Sequence, residues 1–142
     1  MLSGSLALTT AAAFTGAAIY VSLAEQPARL DLENSAALRQ WKPSYSRGFA
    51  LQASLALAAA LFGLLAWWLS RDWRWLIGAA LIFANWPYTL IVLLPVNKRL
   101  EATMPDEAND KTRELLVTWG RLHTIRSVLG CAATLIFLWA LV

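Results

Sequence analysis

Residues 75–97 read Trp75-Leu76-Ile77-Gly78-Ala79-Ala80-Leu81-Ile82-Phe83-Ala84-Asn85-Trp86-Pro87-Tyr88-Thr89-Leu90-Ile91-Val92-Leu93-Leu94-Pro95-Val96-Asn97, 23 uncharged residues between Arg74 and Lys98. About 20 apolar residues in a helix cross the roughly 30 Å of hydrocarbon in a bilayer, so this run is long enough to span one. Three more uncharged intervals surround it: residues 1–24, residues 48–70, and residues 127–142. Over the whole chain, 58% of residues are hydrophobic and 15% charged, and the mean hydropathy is +0.52. A soluble domain is nearer half apolar and a quarter charged. The pattern predicts an all-α protein, a four-helix transmembrane bundle forming one domain over 1–142, with spans near 3–24, 47–70, 75–96 and 120–142. It excludes a soluble enzyme, a nucleic-acid binder and a disordered tail.

The charges sit in the connections. Twelve basic and nine acidic residues give a net charge of +3. They are interspersed, which suits a head-group surface better than a phosphate-binding stripe. The partner implied is therefore the lipid bilayer and not nucleic acid; a lipophilic small molecule and an oligomer are both compatible with such a surface. Nine basic residues flank loops one and three, against Arg71 and Arg74 in loop two. Counted by the positive-inside rule, this places the odd loops in the cytoplasm. Met1-Leu2-Ser3-Gly4 lacks the basic leader of a signal peptide, so the first apolar stretch reads as a retained span. The lone Cys131 offers no intrachain disulfide and reads as a small packing residue.

Along the chain, Ala12-x-x-x-Gly16 is a small-residue pair suited to close helix packing in lipid. Pro27 is expected to break the first helix after Glu25. In loop one, Asn34 or Ser35 can cap a short helix carrying Leu38 and Trp41 on one face, with Pro43 as its stop. Such a segment reads as a brief interfacial helix. The four-residue connection Arg71–Arg74 makes spans two and three antiparallel neighbours. Pro87 is expected to kink span three by freeing the carbonyl of Phe83. Pro105-Asp106-Glu107 and Asp110 mark the start of helix four, outside the membrane.

Polar residues inside spans are costly and usually face the bundle interior. Trp119, His123, Arg126 and Gly130 fall at i, i+4, i+7 and i+11, one face of helix four. Asn85, Thr89 and Val96 share a face of helix three, with Asn97 beside them at its exit. Together with Tyr20, Glu25 and Gln52 these residues are candidates to line a cavity opening toward loops one and three. Each also has a plain structural reading. Arg126 can snorkel to the head groups, His123 can bond a backbone carbonyl, Asn85 can satisfy the carbonyl freed by Pro87, and Glu25 can be a solvated acid or an arginine's ion-pair partner. One histidine, one cysteine and no carboxylate within the spans cannot build a zinc or di-iron site. A haem held by His123 alone is compatible with the composition.

Gly16-x-x-x-Tyr20, Glu25-x-Pro27-Ala28-Arg29, Trp41-x-Pro43-x-Tyr45, Asn85, Asn97-x-x-Leu100 and Trp119-x-x-x-His123-x-x-Arg126 resemble the anthrone-oxygenase-like integral membrane proteins, a largely bacterial family. The resemblance covers nearly the whole chain. It implies four spans, a multi-pass place in a bacterial inner membrane, and oxidation of an anthrone to an anthraquinone by O₂ without a cofactor. On that reading His123 is the base, Arg126 holds the anion, and Asn85 or Tyr20 donates hydrogen bonds, while Gln52, Thr89, Asn97 and Trp119 bind substrate. Two other readings stand beside it. One is a small membrane protein binding haem b, a quinone or a lipid in the same cavity; the other is a structural membrane subunit.

Overall fold

A computed structural model describes residues Met1–Val142. Four helices make up almost all of it: α1 (Leu2–Leu30), α2 (Asn34–Ser70), α3 (Trp73–Ala102) and α4 (Asp110–Leu141), each long and apolar enough to cross a membrane. They form a closed square in which α1 packs on α2 and α4, and α3 packs on the same two, so α1 and α3 face each other diagonally. Loop two is as tight as its length requires. Arg71 turns the chain in a left-handed conformation (φ 59°) and Asp72 caps α3 by accepting from the amide of Arg74 at 2.9 Å. A single 3₁₀ turn, Pro105–Glu107, precedes α4. Asn109 and Thr112 then close a reciprocal capping box at its start.

The core has two apolar layers. Ala7, Ala11, Phe14, Ala59, Trp75 and Phe137 fill the half nearer loop two. Phe137 wedges where only glycine leaves room: a Cβ on Gly78 would lie 2.4 Å from its ring, and one on Gly63 2.8 Å. Lipid tails are as apolar as the core, so close packing rather than water exclusion holds such a layer together. Leu38, Trp41, Leu93, Leu100, Leu116 and Trp119 fill the other half. Along α2, α3 and α4 the residues between these layers include Gln52, Thr89, Asn85, His123 and Arg126, all buried.

Three local expectations are corrected. No separate interfacial helix exists in loop one: α2 runs unbroken from Asn34 through Pro43 to Ser70. Nor does Pro27 break α1. A π-helical turn over Val21–Glu25 precedes it, and Pro27 falls in the first turn of the α-helical segment that resumes at Gln26. A first-turn amide needs no helical partner, so the missing donor costs little there. The same device recurs in α3, where a π-turn over Thr89–Leu93 is followed by Pro95 in the first turn beyond. Lastly, Ala12 and Gly16 face outward, and the small residues that meet neighbouring helices are Ala7, Ala11 and Ala18.

Candidate functional site

Each π-turn inserts one residue and shifts the face of the helix beyond it. In α3 the buried positions run Asn85, Thr89, Leu93, Asn97 and Leu100. Asn97 therefore stands on the inner face where Val96 was expected. In α1 the buried face runs through Ala18 to Gln26 and Arg29, with the half-buried Ser22 between them.

These residues converge on a small cavity between the apolar layers, about 20 Å³ in volume and room for one or two waters. His123, Arg126, Gln52, Thr89, Asn97 and Trp119 all wall it, joined by Tyr45 and Phe49 from α2. Six of the eight expected site residues are thus brought together. Asn85 stands one step away, lining a still smaller adjoining space that shares Phe49, Thr89 and Arg126 with the first. Its amide donates to the carbonyl of Ile82 at 3.1 Å, not to that of Phe83. Tyr20 is 62% exposed and lies outside this cavity.

The polar groups are arranged in a column down α4. The indole of Trp119 is stacked on the imidazole of His123, centroids 5.0 Å apart. Trp119 Nε1 donates to Asn97 Oδ1 at 2.9 Å, and Asn97 Nδ2 donates to the hydroxyl of Tyr45 at 3.2 Å. Tyr45 in turn stacks on Trp41 at 4.7 Å. His123 Nδ1 meets Ser22 Oγ at 3.3 Å, which leaves Nε2 as the ring nitrogen without a protein hydrogen bond.

Arg126 is the exceptional member. Only 6% exposed, it has no carboxylate partner, and its buried Nε has no hydrogen-bond acceptor. Its guanidinium lies 5.5 Å from the ring centroid of Phe14. A buried cation without a counter-ion is costly, and the structural reading of a snorkelling Arg126 does not fit its burial. Gln52 Oε1, Thr89 Oγ1 and Asn85 Oδ1 are likewise buried without partners around it. The cavity therefore combines one cation and one imidazole with orphaned oxygens, two of them pure acceptors, an arrangement suited to a ligand with an anionic edge and a hydrogen-bond donor beside it.

A family profile described as Anthrone oxygenase matches residues 41–136. The chain belongs to the anthrone oxygenase family. An anthrone oxygenase of Claviceps purpurea (strain 20.1) is 32% identical over 144 residues, covering 92% of this chain and 83% of its own. No solved structure matches. The family profile begins at Trp41, the first aromatic of the stack beside Trp119, and includes every cavity residue named on α2, α3 and α4.

Were a haem held here, His123 Nε2 would be its one nitrogen ligand from this chain, the Nδ1 side being taken by Ser22. No three His, Cys, Asp or Glu side chains come together to hold a metal ion.

Several contributors escaped the sequence reading. Arg29 was counted as a loop charge, yet it is buried 5.4 Å over the ring of Trp119 and bonds Gln26, Gln40, Ser44 and Glu25, the last an ion pair at 2.5 Å. Glu25 is thus an arginine's partner. Tyr45 was missed because Pro43 was read as a helix stop. The spacing Trp41, Tyr45, Gly48, Gln52 is i, i+4, i+7, i+11, the same face pattern as on α4, and it is the signal that reveals Tyr45 once α2 is allowed to pass through the proline.

Proposed function

We propose that the chain oxidises a lipophilic aromatic substrate of the anthrone type with O₂ and without a cofactor. The observation that carries this reading is Arg126, a buried cation lacking a counter-ion, one helical turn from His123 in a cavity of orphaned polar atoms. An anthrone has a methylene between two aryl rings, opposite a ring carbonyl. Loss of one methylene proton puts negative charge on the carbonyl oxygen and makes the carbon electron-rich.

His123 Nε2 takes that proton, and the guanidinium of Arg126 holds the oxyanion. The anion passes one electron to O₂, and the carbon radical and superoxide combine to form a C–O bond. His123 returns its proton to the resulting peroxide. Removal of the second methylene proton, with cleavage of the O–O bond and departure of hydroxide, forms the new carbonyl. Anthrone and O₂ become anthraquinone and water. Gln52, Thr89 and Asn97 supply edge hydrogen bonds, and Trp119 and Tyr45 supply aromatic walls. A multi-pass position in a membrane accords with the four helices long and apolar enough to span one.

The test is oxygen uptake by detergent-purified protein supplied with anthrone, measured above the enzyme-free rate. His123→Ala is expected to lower kcat by about 10²–10⁴-fold, the contribution of a positioned base. Uptake no faster than the enzyme-free rate would overturn the assignment. A Soret band in the wild type, lost in His123→Ala, would replace it with a haem protein.

A further inference from the structure

A second, larger concavity opens on the flank of the bundle between α1 and α2. It holds about 350 Å³, and Tyr20, Arg47 and Leu51 form its exposed rim. Val21, Ser44, Gly48 and Gln52 line both this groove and the cavity containing His123 and Arg126. Only these four residues separate the membrane-facing flank from the polar interior.

The glycines single out one of the four. At Gly4, Gly63, Gly78, Gly120 and Gly130 a Cβ would lie under 3.0 Å from a neighbouring side chain, so packing explains their lack of a side chain. At Gly48 a Cβ would meet only the amide nitrogen of Gln52, 4.0 Å away. A glycine inside a helix is unfavourable relative to alanine, and here no neighbour requires the gap. The gap lies in the wall shared by the groove and the cavity. Gln52, one turn further along α2, is buried with its carbonyl oxygen unpartnered.

We infer that this flank groove is the lateral way in from the bilayer for a planar aromatic substrate, and that Gly48 and Gln52 form the gate through which its central ring reaches His123 and Arg126. The inference rests on the oxygenase reading and extends it to the route of the substrate. Size supports the assignment. Pockets for small organic ligands hold roughly 300–1,000 Å³, a range that includes the groove, whereas the inner cavity of about 20 Å³ receives the substrate only as the gate side chains move aside. Chemistry supports it as well. Tyr20 and Leu51 present apolar surface to rings leaving lipid, and the side-chain amide nitrogen of Gln52, the donor that a ring carbonyl needs, faces the gap at Gly48. The exposed Tyr20 thus joins the path of the substrate while standing outside the catalytic cavity.

The test pairs turnover with a binding readout. Gly48→Leu adds bulk at the gate, where its Cβ meets only Gln52 Nε2 at 4.0 Å, and Gly16→Leu, at a position with nothing within 4 Å of its Cβ, is the control on the outer face of α1. Gly48→Leu is expected to lower kcat/KM for anthrone at least tenfold while Gly16→Leu stays within twofold of wild type. In parallel, Gly48→Cys in a Cys131→Ser background is labelled with a maleimide, with and without saturating anthraquinone. Anthraquinone is expected to slow labelling at least tenfold. Wild-type kcat/KM in a folded Gly48→Leu, or labelling indifferent to anthraquinone, overturns the gate and leaves the oxygenase reading standing. Protection of Gly48→Cys by anthraquinone, together with no turnover by the wild type, upholds the groove and overturns the oxygenase reading.

Discussion

Ser22 Oγ lies 3.3 Å from His123 Nδ1 and 3.2 Å from Ser127 Oγ, so one hydroxyl on α1 touches two consecutive turns of α4. When Ser22 gives its proton to Ser127, it accepts from Nδ1–H and leaves Nε2 with a free lone pair. The π-turn over Val21–Glu25 is the segment that carries this hydroxyl. Ser22→Ala removes the hydrogen bond that selects the tautomer. The expected result is a fall in kcat on the order of tenfold, the worth of one hydrogen bond, with KM for anthrone unchanged. Ser22→Thr is expected to restore most of the loss. Steady-state oxygen uptake separates the two constants, and a change in KM alone would count against a positioning role.

Arg126 has no protein counter-ion, so removing its charge strands no partner. Arg126→Met, which keeps length and apolar character, is therefore expected to leave the thermal midpoint unchanged or raised, because an uncompensated buried charge is lost. Turnover is expected to fall by about 10²-fold or more, the typical effect of removing an oxyanion donor. Thermal unfolding in detergent and oxygen uptake on one preparation test both halves. A large destabilisation would show that Arg126 is structural.

Arg29 presents the opposite case. Its guanidinium is buried, bonds Glu25, Gln26 and Gln40, and lies over Trp119. Arg29→Ala leaves the Glu25 carboxylate and two amides without their partner. The expected cost is about 3 kcal/mol, the lower end for breaking a buried pair. It is readable as a lowered midpoint in denaturant unfolding, and a variant as stable as wild type would contradict it.

Loop two carries a pH-dependent cap. Hydrogen bonds from the Arg74 side chain and amide hold the Asp72 carboxyl below the ordinary carboxylate range. A carboxyl with a lowered folded-state value stabilises the fold above its unfolded value, about 3.9, and loses that contribution as pH falls through the folded one. Asp72→Asn keeps a capping oxygen and removes the charge. The difference in unfolding midpoint between wild type and Asp72→Asn is expected to be constant from pH 7 to pH 5 and to shrink as pH falls below the unfolded value of about 3.9. A difference that persists in acid would assign the effect to geometry and not to charge.

Much of the site follows helical arithmetic. Trp119, His123 and Arg126 are separated by steps of four and three, so one face of α4 carries them in any straight helix. Gln52, Thr89 and Asn85 stand out because an uncharged span offers them no water. Tyr45 is hidden, and Asn97 reads as lying beside the inner face and not on it, for related reasons. Pro43 masked the continuity of α2, and the π-turn over Thr89–Leu93 moved the inner face of α3 by one residue. A register change of one residue has no local signature, since the same side chains accommodate both geometries.

The four uncharged intervals, read against bilayer thickness, required four spanning helices before any contact was known, and the cost of polar groups in hydrocarbon named most of the cavity. Contacts between helices settled everything that depends on which side chains meet. Arg29 is a loop charge in the sequence and a buried ion-pair partner in the fold, because Gln40 on α2 and Trp119 on α4 close over it beside Glu25, one turn back on α1. Arg126 is a site candidate or a snorkelling cation in the sequence and a buried cation without a counter-ion in the fold, because no carboxylate on any facing helix pairs with it. Burial and partnership are properties of the assembled helices, and periodicity along one chain does not encode them.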